Sequence, residues 1–313
     1  MRVLFWGTPD FALPTLRALL GEGFEVVAVV TRPDRPAGRG RRLRRPAVKE
    51  MAEDEGLEVF QPVAAGDEEF LAAVRLLEPE VGVVAAYGRF LPRAALDLPV
   101  HGTVNVHPSL LPELRGAAPV QWALIRGLER TGVSVIRLVE EMDAGPVLLQ
   151  VEEPILPDES AAELAARLAE IGGEALVEAL TLMEAGEIDE VEQDHDAATF
   201  APPVSVDDAR VDWSRAPETA AGWIRGTDDV PGAWTTRDGA RLKVFRPALA
   251  DGPAGVGGTV LALDDTADGR GMLVATGAGA LWLAEVQPEG RRRMSAADWA
   301  RGGGVVEGDR LGA

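Results

Sequence analysis

The chain has no cysteine and three histidines, and among its 31 basic residues lysine occurs only at Lys49 and Lys243. Without thiols there can be no disulfide, thiolate metal site or cysteine nucleophile, and a zinc cage would have to be built mostly from carboxylates. Any chemistry here must use other groups, and no metal is expected. Long apolar runs are missing as well. The opening Met1-Arg-Val-Leu-Phe-Trp-Gly7 lacks the apolar core of a signal peptide, and nothing approaches the roughly 18–20 apolar residues of a membrane span. A cytoplasmic protein without membrane contact is therefore expected. The turn Gly7-Thr-Pro-Asp-Phe-Ala12 lacks the G-x-G-x-x-G of dinucleotide sites and no G-x-x-x-x-G-K-[ST] occurs, which argues against a nicotinamide enzyme or a P-loop NTPase.

What is present describes an ordinary globular protein. Of 313 residues, 46% are hydrophobic and 26% charged, with mean hydropathy near zero. That is enough apolar material for a sizeable core, and the length suits about two domains of roughly 100–200 residues each. The formal charge of −20 argues against a general nucleic-acid-binding surface. Its distribution argues otherwise in one place. Arg32, Arg35, Arg39, Arg41, Arg42, Arg44, Arg45 and Lys49 are opposed within their stretch only by Asp34, a net of +7 that leaves −27 for the remainder. A solvated loop is the plain reading of such a run, but its isolation in an acidic molecule raises the case for a functional one.

Arg2–Trp6 is a short apolar run ending in Gly7-Thr-Pro-Asp10, followed by an apolar-patterned stretch from Pro14 to Leu20 that stops at Gly21. Strand, turn and helix follow one another. The unit recurs, with strands expected near Val26–Val30, Leu57–Phe60, Val81–Ala86, Thr103–Val106 and Ser134–Val139, and helices near Val48–Glu55, Glu68–Leu77 and Pro119–Arg126. Such alternation predicts an α/β domain around a largely parallel, twisted sheet covered on both faces, with ligands bound beyond the carboxyl ends of the strands. Ser160-Ala-Ala-Glu163 is a capping box opening a helix that closes this domain near Gly186. Residues 189–206, with scattered acids and Pro202-Pro203, read as a linker. From 207 to 313 the pattern changes to short β runs, including an Asp238-Gly239 hairpin signal and runs at Thr259–Leu263, Met272–Thr276 and Leu281–Val286, with a last helix starting at Ser295. A small barrel or sandwich is expected there.

Asn105-Val106-His107 ends a predicted strand, so its first and third side chains share a face about 6–7 Å apart. An amide can donate to a carbonyl oxygen, and an imidazole can accept a proton or, once charged, stabilise an oxyanion. Ser109-Leu-Leu-Pro112 and Arg115-Gly-Ala-Ala-Pro119 form a tightly turned segment leading to a helix start, where backbone can approach a ligand. Asp143, in Glu-Met-Asp-Ala-Gly145, is a loop carboxylate that could complete a His-Asp arrangement. Taken singly, each also fits a local structural role.

Together with Phe5-Trp-Gly-Thr-Pro-Asp-Phe11 and Arg32-Pro-Asp-Arg-Pro-Ala-Gly-Arg-Gly40, these segments make the chain resemble the methionyl-tRNA formyltransferases over nearly its whole length, with Ala209-Arg-Val-Asp-Trp213 and Glu285-Val-Gln-Pro-Glu-Gly290 adding to it in the second half. The resemblance implies a formyltransferase domain (1–188), a linker (189–206) and an OB-like tRNA-binding domain (207–313). The donor would be 10-formyltetrahydrofolate and the acceptor the α-amino group of methionyl initiator tRNA, handled by a monomer without metal. It further implies Asn105, His107 and Asp143 as catalytic residues and folate along Ser109, Leu110, Leu111 and Pro112, with Arg89, Phe90 and Leu91 walling the pterin. Arg39, Arg41, Arg42, Arg44 and Arg45 would meet the tRNA. The segment Asp228-Asp-Val-Pro231 departs from the family's usual Asn-Pro-Trp-Pro. A formyltransferase acting on glycinamide ribonucleotide or an amino-sugar nucleotide is the nearest rival, and a noncatalytic folate- or RNA-binding module is a more distant one.

Overall fold

The computed structural model describes residues 1–37, 42–264 and 270–312. It forms two compact units, one of Met1–Pro119, Thr131–Glu153 and Ala165–Ala201, the other of Val120–Arg130, Pro154–Leu164 and Pro202–Ala313.

The strands of the first part of the chain are β1 (Arg2–Gly7), β2 (Glu25–Val30), the ribbon strands β3 (Arg35–Ala37) and β4 (Arg42–Arg44), β5 (Val59–Phe60), β6 (Val81–Ala85), β7 (Thr103–His107), β8 (Arg130–Arg137) and β9 (Val147–Pro154). All but the ribbon form one seven-stranded sheet in the order β5-β2-β1-β6-β7-β8-β9. From β5 to β7 every pair is parallel, and β8 runs antiparallel to β7. Strands such as Val3-Leu-Phe-Trp6 and Val81-Gly-Val-Val-Ala85 are buried throughout because helices cover both faces of a parallel sheet. The helices of this part are α1 (Leu13–Gly21), α2 (Ala47–Asp54), α3 (Glu68–Arg75) and the single turn α4 (Arg93–Leu96).

Gly7 ends β1 where a side chain has no room, since a Cβ there would lie 2.7 Å from the Phe5 ring and 2.8 Å from Ala12 Cβ. Beyond it, Trp6 packs edge-on against Phe70 and Tyr87, with ring centroids 5.7 and 5.2 Å apart. The β3–β4 ribbon is braced at its base by Lys49, whose Nζ donates to both Asp34 oxygens at 3.0 Å and to Gln61 Oε1 at 2.7 Å.

The expected strands and helices of this unit are present to within a residue or two, with one exception. The strand expected near Ser134–Val139 is β8 at Arg130–Arg137, starting four residues earlier because Arg130-Thr-Gly132 extends it without an apolar run. Strand β9 was not expected, because its sequence, Val-Leu-Leu-Gln-Val-Glu-Glu-Pro, alternates between half-buried and exposed positions rather than forming an apolar run. Two helices follow in the chain, α5 (Pro119–Ile125) and α6 (Ala161–Ala185). The capping box opens α6: Ser160 Oγ accepts from Glu163 N at 3.4 Å, and Glu163 Oε2 accepts from Ser160 N at 2.9 Å. In the segment expected to link the domains, Gln193 is buried, and Thr199 and Ala201 bond to the Arg115 backbone.

The second part of the chain holds α7 (Pro217–Thr227), β10 (Trp234–Arg237), β11 (Ala240–Ala250), β12 (Val260–Asp264), β13 (Gly271–Thr276), β14 (Gly279–Pro288), β15 (Met294–Ser295) and α8 (Ala296–Arg301). The sheet is antiparallel in the order β10-β11-β14-β13-β12, with β15 pairing on β14. Asp238 and Gly239, at φ 49° and 76°, make the β10–β11 turn, the conformation that an Asp-Gly hairpin favours. Trp213, Ile224, Val244, Leu281 and Trp299 contribute to the core of this β-domain, and Lys243 Nζ donates to Pro231 O at 2.7 Å. Helix α7 was not read from sequence. It carries Pro217 in its first turn and buried Ala220, Ala221 and Ile224 at helical spacing, but Gly222 and Gly226 obscure the pattern. Among the described residues no helix is long and apolar enough to cross a membrane.

Candidate active site

Strand β7 delivers Asn105, half-buried, and His107, 4% exposed, on the same face at its carboxyl end. His107 Nε2 lies 3.1 Å from Leu114 O. A carbonyl can only accept, so Nε2 carries the hydrogen and the neutral ring keeps its lone pair on Nδ1. That Nδ1 stands 3.7 Å from Asp143 Oδ2, and both side chains are largely out of solvent. Burial lowers the His107 pKa below the ordinary histidine value, and this outweighs the Asp143 charge and the Leu114 carbonyl, which act to raise it. The ring is therefore neutral at neutral pH. Asp143 adopts φ 51°, a left-handed conformation that Asp tolerates better than most residues, and its Oδ2 accepts from Gly116 N at 2.8 Å. Residues from positions 105–107, 116 and 143 thus converge on one end of the sheet.

The loop after β7 is held by Ser109 from within its own motif and by Ser134 and Gln150, which no sequence motif singles out. Ser109 is buried and its hydroxyl donates to Glu113 O at 2.5 Å. Ser134 Oγ on β8 donates to Ser109 O at 2.7 Å and accepts from Leu111 N at 3.0 Å. Gln150 on β9 donates to Leu111 O at 2.7 Å and to Ser134 Oγ at 2.9 Å. Leu110 is half-buried against Gly132, where a Cβ would meet its Cδ2 at 2.6 Å; Leu111 is buried and Pro112 half-buried.

Residues 1–180 match the family model described as formyl transferase, and residues 203–304 match the one described as formyl transferase, C-terminal domain. A methionyl-tRNA formyltransferase of a Nocardioides species is 46% identical over 314 residues, covering 100% of this chain and 98% of its own. The methionyl-tRNA formyltransferase of Geobacter sulfurreducens is 42% identical over 313 residues, with 100% and 97% covered. The chain belongs to the methionyl-tRNA formyltransferase family. Among solved structures, HypX from Aquifex aeolicus in complex with tetrahydrofolic acid superposes with a TM-score of 0.64 at 22% identity over 95% of this chain. This chain spans 46% of HypX, and that likeness concerns the fold alone.

For a formyltransferase of this family, the remaining sequence-predicted positions fall as follows. β6 and β7 are parallel, with Val84 opposite Asn105, so the loop bearing Arg89, Phe90 and Leu91 leaves the sheet beside the loop bearing Ser109 to Pro112. Phe90 is 71% exposed, Leu91 is buried in the cluster around Trp6 and Tyr87, and Arg89 Nη1 donates to Val63 O. Arg39 and Arg41 lie outside the described residues, and of Arg42 only its place on β4 is described. In the ribbon Arg35 stands opposite Arg44. Arg44 and Leu43 are exposed, and Arg45 is paired with Glu53.

Proposed function

We propose that this protein transfers the formyl group of 10-formyltetrahydrofolate to the α-amino group of methionine esterified to initiator tRNA, priming translation initiation as a cytoplasmic monomer. The observation that carries the reading is the match to named methionyl-tRNA formyltransferases across the whole chain. The geometry around His107 supplies the chemistry.

The folate co-substrate supplies the formyl carbon. Two loops leaving adjacent parallel strands suit its flat ring: one carries exposed Phe90, and the other presents Leu110 on a backbone fixed by Ser134 and Gln150. Arg89, Leu91, Ser109, Leu111 and Pro112 would complete that wall. A free α-amino group has a pKa of about 7.7–8.0 and esterification lowers it, so much of the acceptor is already nucleophilic at neutral pH. The remaining tasks are to stabilise negative charge growing on the formyl oxygen, to remove a proton from the attacking nitrogen and to return a proton to N10 of the folate as the formyl carbon–N10 bond breaks and tetrahydrofolate leaves.

In this reading the Asn105 amide, on the same face of β7 as His107, donates to the formyl oxygen. His107, neutral and with Nε2 committed to Leu114 O, can take the amine proton on Nδ1. Once charged, the ring faces Asp143 at 3.7 Å, beyond hydrogen-bonding range, so its new N–H can also serve the oxyanion while the carboxylate balances the charge. The basic stretch of the sequence holding Arg39, Arg41, Arg42, Arg44 and Arg45 would follow the phosphates of the acceptor end.

The test is transfer of labelled formyl from 10-formyltetrahydrofolate, with methionyl initiator tRNA as acceptor and uncharged tRNA, glycinamide ribonucleotide and an amino-sugar nucleotide as alternatives. Product is expected only with the aminoacylated RNA. Equal or faster transfer to a small amine overturns the assignment.

A further inference from the structure

Gln193 lies fifty residues after Asp143 in a segment without motif or periodicity, yet its side chain is 6% exposed and fully committed. Its Nε2 donates to Asp143 O at 2.9 Å and to Gly145 O at 2.7 Å. Its Oε1 accepts from Arg115 Nε at 3.1 Å and Nη2 at 2.8 Å. The amide can point only one way, because a flip would set its N–H groups against a guanidinium and its oxygen against two carbonyls. Arg115 is itself 2% exposed, and its Nη2 reaches His195 Nδ1 at 3.1 Å.

The backbone closes the same loop from the other side. Arg115 N donates to Thr199 O, Ala201 N donates to Arg115 O at 2.8 Å, and the next residue, Gly116, gives its N–H to the Asp143 carboxylate. Leu114, one residue earlier, accepts from His107. Residues 114–116 therefore touch both members of the His107–Asp143 pair. Gln193 is the brace that ties the Asp143 backbone to the Arg115 side chain of that same segment.

We propose that Gln193, oriented by Arg115, is the positioning residue that holds Asp143 at its working distance from His107; this rests on the roles given to that pair under the proposed function. Neither residue touches the reacting atoms in this account. Freed from Gln193, Asp143 and Gly145 lose the donors that fix their carbonyls. The carboxylate then moves relative to an imidazole whose charged form it is there to stabilise, and misplacement by about 1 Å at such a site costs on the order of 100-fold.

The test compares Gln193→Glu, Arg115→Lys, their double variant and Asp143→Asn in the full chain. Gln193→Glu keeps an acceptor for Arg115 but removes both donors to the Asp143 loop. It should lower kcat by about 10- to 100-fold while the KM values for folate and methionyl-tRNA stay within about threefold. With less help from Asp143, His107 titrates at lower pH, so the acid limb of the kcat/KM profile should shift the same way as in Asp143→Asn. Arg115→Lys keeps the cation and loses the fork. It should move kcat and the limb in the same direction by less, and the double variant should be no slower than Gln193→Glu alone. If Gln193→Glu does not fold, Arg115→Lys carries the test by the same two readouts. A thermal midpoint that drops with kcat and the limb unchanged, while Asp143→Asn is slow, overturns the positioning role alone. If Asp143→Asn turns over normally, the assignment of Asp143 fails and this proposal fails with it.

Discussion

Replacing Asp143 with Asn isolates the contribution of its charge. The amide oxygen can still accept from Gly116 N, the bond that Oδ2 makes at 2.8 Å, so the loop keeps that anchor while the anion beside His107 disappears. Two unit charges about 4 Å apart attract by about 4 kcal/mol at an effective dielectric near 20 and by about 1 kcal/mol in bulk water. With 3.7 Å between Oδ2 and Nδ1 and both side chains mostly shielded, the pair falls between these limits. If the imidazole is fully charged in the rate-limiting transition state, turnover should fall by about 5- to 1,000-fold, since about 1.36 kcal/mol is tenfold in rate. Loss of the anion also leaves burial to act on His107 with less opposition. The acid limb of the rate profile should then move to lower pH. Single-turnover formyl transfer to methionyl-tRNA at saturating folate, followed between about pH 5 and 8 where imidazoles titrate, measures both effects. A variant within about twofold of the parent with an unmoved limb refutes the electrostatic role of Asp143, because the low end of the Coulomb range already predicts more.

Three further outcomes follow from other contacts. Ser160→Ala removes the oxygen that caps α6 at Glu163 N and should cost about 1 kcal/mol, read as a lower denaturant midpoint with unchanged slope; an unchanged midpoint shows that the cap contributes nothing. Because His107 is buried with a lowered pKa, the unfolded chain takes up a proton near pH 6.5 that the folded chain refuses until lower pH. Stability should therefore decline as pH falls below about 6.5, and urea titrations of His107→Gln should show a shallower decline. Arg44 is exposed whereas Arg45 is paired with Glu53. Arg44→Ala should raise the KM for tRNA and reduce the salt slope by about one, while Arg45→Ala should do less; equal slopes in parent and Arg44→Ala rule out a phosphate contact.

Elements whose residues share one environment were the most readable in the sequence. Strands β1 and β6 are buried on both faces and so appear as apolar runs, and α6 announces itself with Ser160 and Glu163. The Asp238-Gly239 turn is legible because few other residue pairs accept two positive φ values. Strand β9 has a half-exposed face, and α7 carries glycines, one of them at a site where a Cβ would lie 2.6 Å from Leu124 O. A close approach to neighbouring backbone thus removed the very pattern that marks a helix. At the site, Asn105, His107 and Asp143 drew attention through their side-chain chemistry and their resemblance to a family. Ser134, Gln150, Gln193 and Arg115 work by hydrogen bonds to backbone or amide groups from distant parts of the chain. No local spacing encodes such partners, because the fold alone decides which carbonyl lies within reach.

The scarcity of lysine has a practical consequence. The two side-chain amines of this protein are both occupied, Lys49 by Asp34 and Gln61 and Lys243 by the Pro231 carbonyl. A catalyst that handles an activated acyl group beside an amine acceptor thus offers that group little of itself to modify. Radioactivity recovered with macromolecules after the reaction should report the aminoacylated RNA rather than acylated enzyme, and amine-directed coupling reagents should find few points of attachment.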